Sequence, residues 1–481
     1  MENSGYEGKV LVLGAGSVSQ CTVPLIADRI VKSVSQITVL DYVDNKSRYE
    51  NLIAKGLKYE FGEVTQENLP ELLGKYVGDG DLLLDLAWNI DANEIMQWCH
   101  NQNVMYLNTS VEVWDPYVDA VKMTPQDRTL YVRHMKLREM KKTWGKKGAT
   151  AVVEHGANPG LVSHWTKKAL VDIATQAIND GIASEEVKSA LDAENYPALA
   201  EALTVKVIHV AERDTQVTDK PKRLNEFVNT WSIAGFHEEG IAPAELGWGT
   251  HEKTLPRNGY EHESGPKNQI CLAQPGAQTW VRSWVPNYEI NGMVIRHGEA
   301  FTIADHLTTY NEDGSARYRP TVHYAYCPSD SAIASMRELI ARNWVLQDNL
   351  RIMNDEIIDG EDRLGVLLMG HPYKSWWTGS LLSIHDARKL APGQSATTLQ
   401  VGASILGAVA WMVKNPQEGI NVPDDLPWRE VMAVADDYLG EHWSGAADWT
   451  PVKNRDDVFE GWSDHKYDES DPWQFNNFLV L

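Results

Sequence analysis

Short apolar runs alternate with helix-period segments through the first third of the chain. Val10–Leu13, Ile37–Leu40, Leu57–Phe61, Leu82–Leu86, Val104–Leu107 and Thr150–Val153 read as strands. Helical patterns such as Ala92–His100 and Leu130–Trp144 lie between them. This alternation predicts an α/β fold: a Rossmann-type, doubly wound parallel sheet with right-handed crossovers. After Gly160 the pattern changes. One helix, from about Leu161 to Ile178, leads into mostly β-type sequence: Leu203–Val210, Phe227–Ile233, Gln269–Leu272, Tyr288–Ile295 and Thr321–Tyr326, then Val366–Met369 and Leu381–Ile384. Asn291-Gly292, inside Tyr288–Ile295, has the composition of a type I′ hairpin turn. Helices return from about Ser395, at Val401–Val413 and Trp428–Tyr438, before an aromatic tail, Asp471-Pro-Trp473-Gln-Phe475. The expected organisation is residues 1–157 as a dinucleotide-binding domain, 158–394 as an α+β catalytic domain, and 395–481 as helices and tail packing back on both.

The first strand ends in two glycines, Gly14-Ala-Gly16-Ser17-Val18-Ser19, and a helix-compatible run follows. Gly14 permits a tight turn, Gly16 lets the backbone approach a pyrophosphate, and the free N–H groups at Ser17 and Val18 face the anion. The third glycine of this fingerprint is replaced by Ser19. The second strand ends in Asp41, placed where a carboxylate can hold both ribose hydroxyls and repel a 2′-phosphate, so NAD is expected over NADP. In such sheets ligands bind beyond the carboxyl ends of the strands. Ala87-Trp88-Asn89, Asn108-Thr109-Ser110 and Gly156-Ala157-Asn158-Pro159-Gly160 occupy those positions. Ala87, Thr109, Ser110, Ala157 and Pro159 join Gly14, Gly16, Ser17, Val18 and Asp41 as expected cofactor contacts.

Composition narrows the partners. The 481 residues are 43% hydrophobic and 23% charged, as in a soluble globular protein, and are too many for one ordinary core. Net charge is −23, from 67 acidic and 44 basic residues, which argues against nucleic acid and would favour a cationic ligand. Cys21, Cys99, Cys271 and Cys327 show no metal spacing, so no metal site is expected, and reduced thiols fit a cytoplasmic protein. The N-terminal sequence lacks a signal peptide's features, and Val401–Val413 is too short to span a bilayer, so no membrane partner is expected.

Within the second part, charged residues recur inside apolar strands. Val207-Ile-His-Val-Ala-Glu212-Arg-Asp214 places two carboxylates two apart, on one face of an extended backbone. His297 and Glu299 repeat the spacing. Asn229-Thr-Trp231, His237-Glu238-Glu239 and Asp359-Gly-Glu361-Asp362 lie nearby in sequence. A diamine needs separated carboxylates with an aromatic face between them. A histidine or carboxylate must also take the ammonium proton, because only the neutral amine carbon gives up hydride readily.

Several of these stretches carry a resemblance: Gly156-Ala-Asn-Pro-Gly-Leu-Val-Ser163, His209-Val-Ala-Glu-Arg-Asp-Thr215, Phe227-Val-Asn-Thr-Trp-Ser232, Pro243-Ala-Glu-Leu-Gly-Trp-Gly-Thr250, Arg319-Pro-Thr-Val-His-Tyr-Ala-Tyr326 and the tail motif. They resemble bacterial-type homospermidine synthases, relatives of the saccharopine dehydrogenase-like oxidoreductases. The resemblance runs from about Val10 to the C-terminus. It implies a cytoplasmic, homodimeric aminobutyl transferase on bound NAD that converts two putrescines to homospermidine and ammonia, with spermidine as a possible donor. It also implies roles for individual residues. Trp231 would hold cationic substrate and iminium by its ring face, with His297 and Glu299 as the polar pair near the reacting carbon. Glu212, a catalytic carboxylate, would line the amine path with Glu239 and Asp362, Asn158 would meet substrate at the domain junction, and Glu112 would be an acid at the pocket entry. The chain departs from the family's pattern at Ser19, where glycine is usual, and at Val113, where proline is usual. Rival readings are an NAD-dependent saccharopine- or carboxyspermidine-type dehydrogenase, which would use Arg213, Arg282, Arg296 or Arg319 against a substrate carboxylate, and a non-enzymatic NAD or polyamine sensor.

Overall fold

The computed structural model describes residues 3–116, 118, 122–145, 147–455, 462 and 467–480. Its first sheet is parallel. β1 (Val10–Leu13), β2 (Ile37–Asp41), β3 (Lys58–Phe61), β4 (Leu82–Asp85), β5 (Met105–Asn108) and β6 (Ala151–Val152) lie in the order β6-β5-β4-β1-β2-β3. Val10 pairs with both Ile37 and Leu82, which fixes the register and brings the carboxyl ends of β1, β2 and β4 to one edge. The central strands are apolar on both faces because helices cover both, as the run Leu82-Leu-Leu requires. A short strand from far along the chain, Ile420–Asn421, extends this sheet beside β6.

The second sheet is mixed. At its centre β7 (Val207–Asp214) lies between β8 (Thr321–Cys327), which runs parallel to it, and β9 (Glu361–His371), which runs antiparallel. Lys374–Ser383 and Glu441–Ala447 continue the sheet on one side, Pro243–Gly247 and Gln269–Pro275 on the other. Residues after 395 thus contribute a strand to each sheet. The almost fully buried helix Ala396–Met412 packs against the helix Ser17–Arg29 of the first sheet. The aromatic tail lies on the other face of the second sheet, with Phe475 and Phe478 buried against His323 and His209.

Three local expectations change. Asn291-Gly292 is not a turn. Tyr288–Met293 is an unbroken strand whose hairpin partner is Trp280–Val285, and the turn lies between them with Asn287 at φ +68°. Gly292 is needed for close approach, because a Cβ there would meet the backbone of Ala325 on β8. The run Phe227–Ile233 splits into a strand, Glu226–Asn229, and a helix, Ile233–Ile241, started by the Ser232 side chain accepting from the N–H of Gly235. Leu203 caps the helix Tyr196–Ala202 instead of opening β7.

Candidate active site

At the edge of the first sheet, Gly14 has φ +88°, and a Cβ there would lie 2.6 Å from the carbonyl oxygen of Leu86. Gly16, at the N-terminus of Ser17–Arg29, has nothing within 4 Å of where its Cβ would stand. No side chain caps that helix, so its first N–H groups face an open cradle. Asp41 closes the turn, accepting from the N–H of Ala15 (2.5 Å) and of Val43 (2.7 Å). The unusual Ser19 is accommodated: it is buried and its hydroxyl donates to the carbonyl of Gly14 at 2.5 Å. A glycine turn, an open helix N-terminus and an acidic end to β2 together fit a dinucleotide.

A cleft of about 200 Å³ runs from this edge to the second sheet. Val18, Ala87, Thr109, Ser110, Ala157 and Pro159 line one side of it, and Glu112, Asn158, Glu212, Trp231, Glu239 and His297 the other. The loop before the helix Leu161–Asn179 joins the two. Its closure depends on Gly160, at φ +135°, where any Cβ would collide with the backbone of Gly156. From this loop the Asn158 amide donates to Oε2 of Glu212 at 2.7 Å and also meets the hydroxyl of Tyr324. The Tyr324 hydroxyl itself donates to Glu212.

The strands of the second sheet set the carboxylates. Glu212 and Asp214 share a face of β7, as their spacing requires, and Asp362 on β9 pairs directly with Asp214. All three are buried. Burial and the charge of Asp214 raise Glu212 to about 7, against hydrogen bonds from Tyr324 and Asn158 that oppose the rise. Asp362 is raised further, by burial and by Glu212 and Asp214. Asp362 does not line the cleft. It is fully buried, with the Thr397 hydroxyl donating to it at 2.6 Å, and stands behind Glu212 as a charge neighbour. Trp231 does line the cleft, and its indole N–H donates to Tyr326 at 2.9 Å. Tyr326 stacks on Tyr324, with centroids 5.1 Å apart, so the indole is held by the same strand that engages Glu212.

His297 sits between two carboxylates, with Nδ1 3.2 Å from Glu299 and Nε2 3.1 Å from Glu239. Burial alone would lower it, but the charges of Glu299 and Glu239 outweigh that and hold it well above the ordinary histidine value. Its surroundings therefore favour the protonated imidazole. Glu299, 1% exposed, lies behind the imidazole and orients it; Glu239 is on the cleft side.

One group at the cleft was not foreseen as a unit. Arg133 and Arg296 both donate to Oε1 of Glu238, the former at 3.1 Å, while Trp88 donates to its Oε2 at 3.0 Å. Glu112 stands near this pair, accepting from Ser110 at 2.7 Å, and burial followed by the charge of Glu238 raises it to about 7. The composition of Glu238-Glu239 gave no way to tell which carboxylate is neutralised, because both arginines are distant in sequence. Of the other arginines named from the sequence, Arg213 pairs with Asp330, Arg282 with Glu289, and Arg319 donates to the carbonyl of Trp248. None of these three lines the cleft.

Comparison with known proteins shows the family. Residues 10–152 match the family model of the saccharopine dehydrogenase NADP binding domain, and residues 156–442 that of the saccharopine dehydrogenase C-terminal domain. The chain is 40% identical over 479 residues to a homospermidine synthase of Mesorhizobium japonicum, covering 98% of this chain and 96% of that one. It is 39% identical over 480 residues to a homospermidine synthase of Blastochloris viridis, covering 98% of each. The crystal structure of the homospermidine synthase of Legionella pneumophila in complex with NAD superposes with a TM-score of 0.89 at 37% identity, covering 100% of this chain and 99% of the other. The chain belongs to the homospermidine synthase family, built on the saccharopine dehydrogenase plan.

Proposed function

We propose that this protein is an NAD-dependent homospermidine synthase that makes homospermidine and ammonia from two putrescines. The observation that carries the reading is the cleft itself, where an indole face, the carboxylates Glu212 and Glu239 and a protonated His297 lie against the dinucleotide edge. Such a site suits a dication that must lose one ammonium proton before its carbon reacts. In this reading residues 1–157 hold the nucleotide, 158–394 hold the amines, and 395–481 tie the two together. The catalytic residues are Glu212, Trp231 and His297, and Glu299, expected from the sequence at the reacting carbon, is instead a positioning residue that orients the His297 imidazole.

Gly14, Gly16, Ser17, Val18 and Asp41 would hold the adenosine and pyrophosphate, and Ala87, Thr109, Ser110, Ala157 and Pro159 the nicotinamide end. Bound there, NAD would supply a hydride acceptor that can return what it takes. The chain's own residues do the rest. Glu212, raised to about 7, is a base matched to the working pH and takes a proton from the reacting ammonium. Glu239 holds an ammonium against the His297 imidazolium. Trp231 faces the cationic carbon as ammonia leaves and the second amine adds. Asn158 and Tyr324 keep Glu212 aimed into the cleft. A dehydrogenase acting on an amino acid-derived substrate would need a free cation here. Arg296, the one named candidate at the cleft, is already engaged by Glu238, which favours the polyamine reading.

The amine partners are putrescine and related polyamines, the assembly is a homodimer, and the setting is the cytoplasm. Incubation of the purified protein with putrescine and catalytic NAD, followed by chromatography, tests the reading. Homospermidine and ammonia in equal amounts support it; putrescine left unconsumed contradicts it.

A further inference from the structure

We propose that Glu154 and His134 form a proton relay between the amine cleft and a second cleft that lies farther along the helix Leu130–Thr143. Glu154 lines the amine cleft, and its Oε2 lies 2.8 Å from Nε2 of His134. His134 in turn lines a separate cleft of about 440 Å³. Both side chains are buried, at 2% and 1% exposure, so this hydrogen bond lies within the wall that separates the two clefts. Neither residue belongs to the set assigned above.

The placement of Glu154 argues against simple packing. It follows β6 with φ +60°, a left-handed conformation that a glutamate rarely adopts unless the surroundings impose it. The surroundings do so. Its N–H donates to Oδ1 of Asn108 at 2.7 Å, and the amide of Asn108 donates to Tyr106, which donates to the buried Asp85. On its other side Gly298 packs so closely that a Cβ there would strike the Glu154 carboxylate. The carboxylate thus lies against the backbone between His297 and Glu299. Glu299 Oε2, on that side, is buried without a hydrogen-bond partner. Charged and titratable groups near the pair include His297 and Glu299 beside Glu154, and Arg138, Lys141, Lys142, Asp305, His306, Asp424 and Asp425 around the second cleft.

This inference rests on the proposed function, whose chemistry creates the need. Each of two putrescine ammonium groups gives up a proton before it can react. The departing ammonia and the new secondary amine each take one back. No net proton is consumed, yet two must be stored or exchanged while both amines fill the cleft and exclude water. Carboxylate and imidazole in hydrogen-bond contact pass a proton either way: one enters at Glu154 from the cleft as another leaves His134 toward the second cleft, and the reverse step restores both.

The test compares wild type with His134→Ala, both carrying bound nucleotide, for homospermidine formation from putrescine with and without added imidazole. Melting temperature and NAD content confirm folding. The expected result is a kcat at least about tenfold lower, KM for putrescine within about threefold, and at least about fivefold recovery with imidazole, which enters from the second cleft. The solvent deuterium isotope effect on kcat should rise in the variant and fall again on rescue. A variant with wild-type kcat overturns the relay, and so does a lowered kcat that imidazole leaves unchanged. If His134→Ala does not fold, Glu154→Gln carries the test, and kcat within threefold of wild type overturns the proposal. Wild type making no homospermidine would instead remove the proposed function, a distinct outcome.

Discussion

The amide of Asn158 donates to the carboxylate of Glu212 over 2.7 Å, and this bond joins the loop that leaves the first sheet to the central strand of the second. It aims a buried carboxylate whose charge is otherwise opposed by burial and by Asp214. Activity should therefore rise with pH through about 7 as Glu212 ionises. Glu212→Gln should lower kcat by about 10²-fold or more and lose that limb of the profile. Steady-state rates between pH 5.5 and 9 check this.

Stability should move the opposite way. Glu212 titrates near 4.5 in an unfolded chain and near 7 when folded, so between those values the native state binds the extra proton. Unfolding then releases protons, and this group's contribution falls as pH rises across the window. Glu212→Gln should gain melting temperature relative to wild type at pH 8 compared with pH 5. Calorimetry at the two pH values measures it. A constant difference would place Glu212 in a solvated setting.

Trp231 contributes a ring face and one hydrogen bond to Tyr326. Trp231→Phe keeps an aromatic face, whereas Trp231→Leu does not. Cation–π attraction of about 0.5–2 kcal/mol makes the leucine variant roughly tenfold slower than the phenylalanine variant in homospermidine formation. Equal rates for both would make Trp231 a packing residue.

The carboxylate of Asp41 is fixed by the N–H groups of Ala15 and Val43 at the ribose end of the cradle. NAD should raise the melting temperature of nucleotide-free protein and NADP should not. Asp41→Asn should narrow the difference. Thermal shift with each nucleotide decides it, and equal stabilisation of wild type by NADP would contradict the assignment.

Much of this was legible in the chain because it is local. The run Val10–Leu13 followed by Gly14 and Gly16, the closing Asp41 and the two-residue spacing of Glu212 and Asp214 each specify their geometry within a few residues. What escaped depends on partners far away in sequence. Asn291-Gly292 has turn composition, yet Gly292 serves the close approach of Ala325. Ile420–Asn421 joins the first sheet from the far end of the chain. Asp362 reads like a cleft carboxylate but stands behind Glu212, because the register of β9 sets it opposite Asp214. Glu238 and Glu239 are adjacent yet opposite in character: two arginines neutralise the first and a histidine faces the second.

The central claim is that hydride taken from one amine-bearing carbon returns to it without leaving the cleft. Putrescine deuterated at both amine-bearing carbons, turned over in the presence of an excess of unlabelled NADH alongside the NAD, measures this directly by mass spectrometry of the product. The account predicts homospermidine that keeps all of its deuterium, with no steady rise in NADH absorbance. Product lacking one deuterium for each turnover, or NADH accumulating without homospermidine, would contradict it.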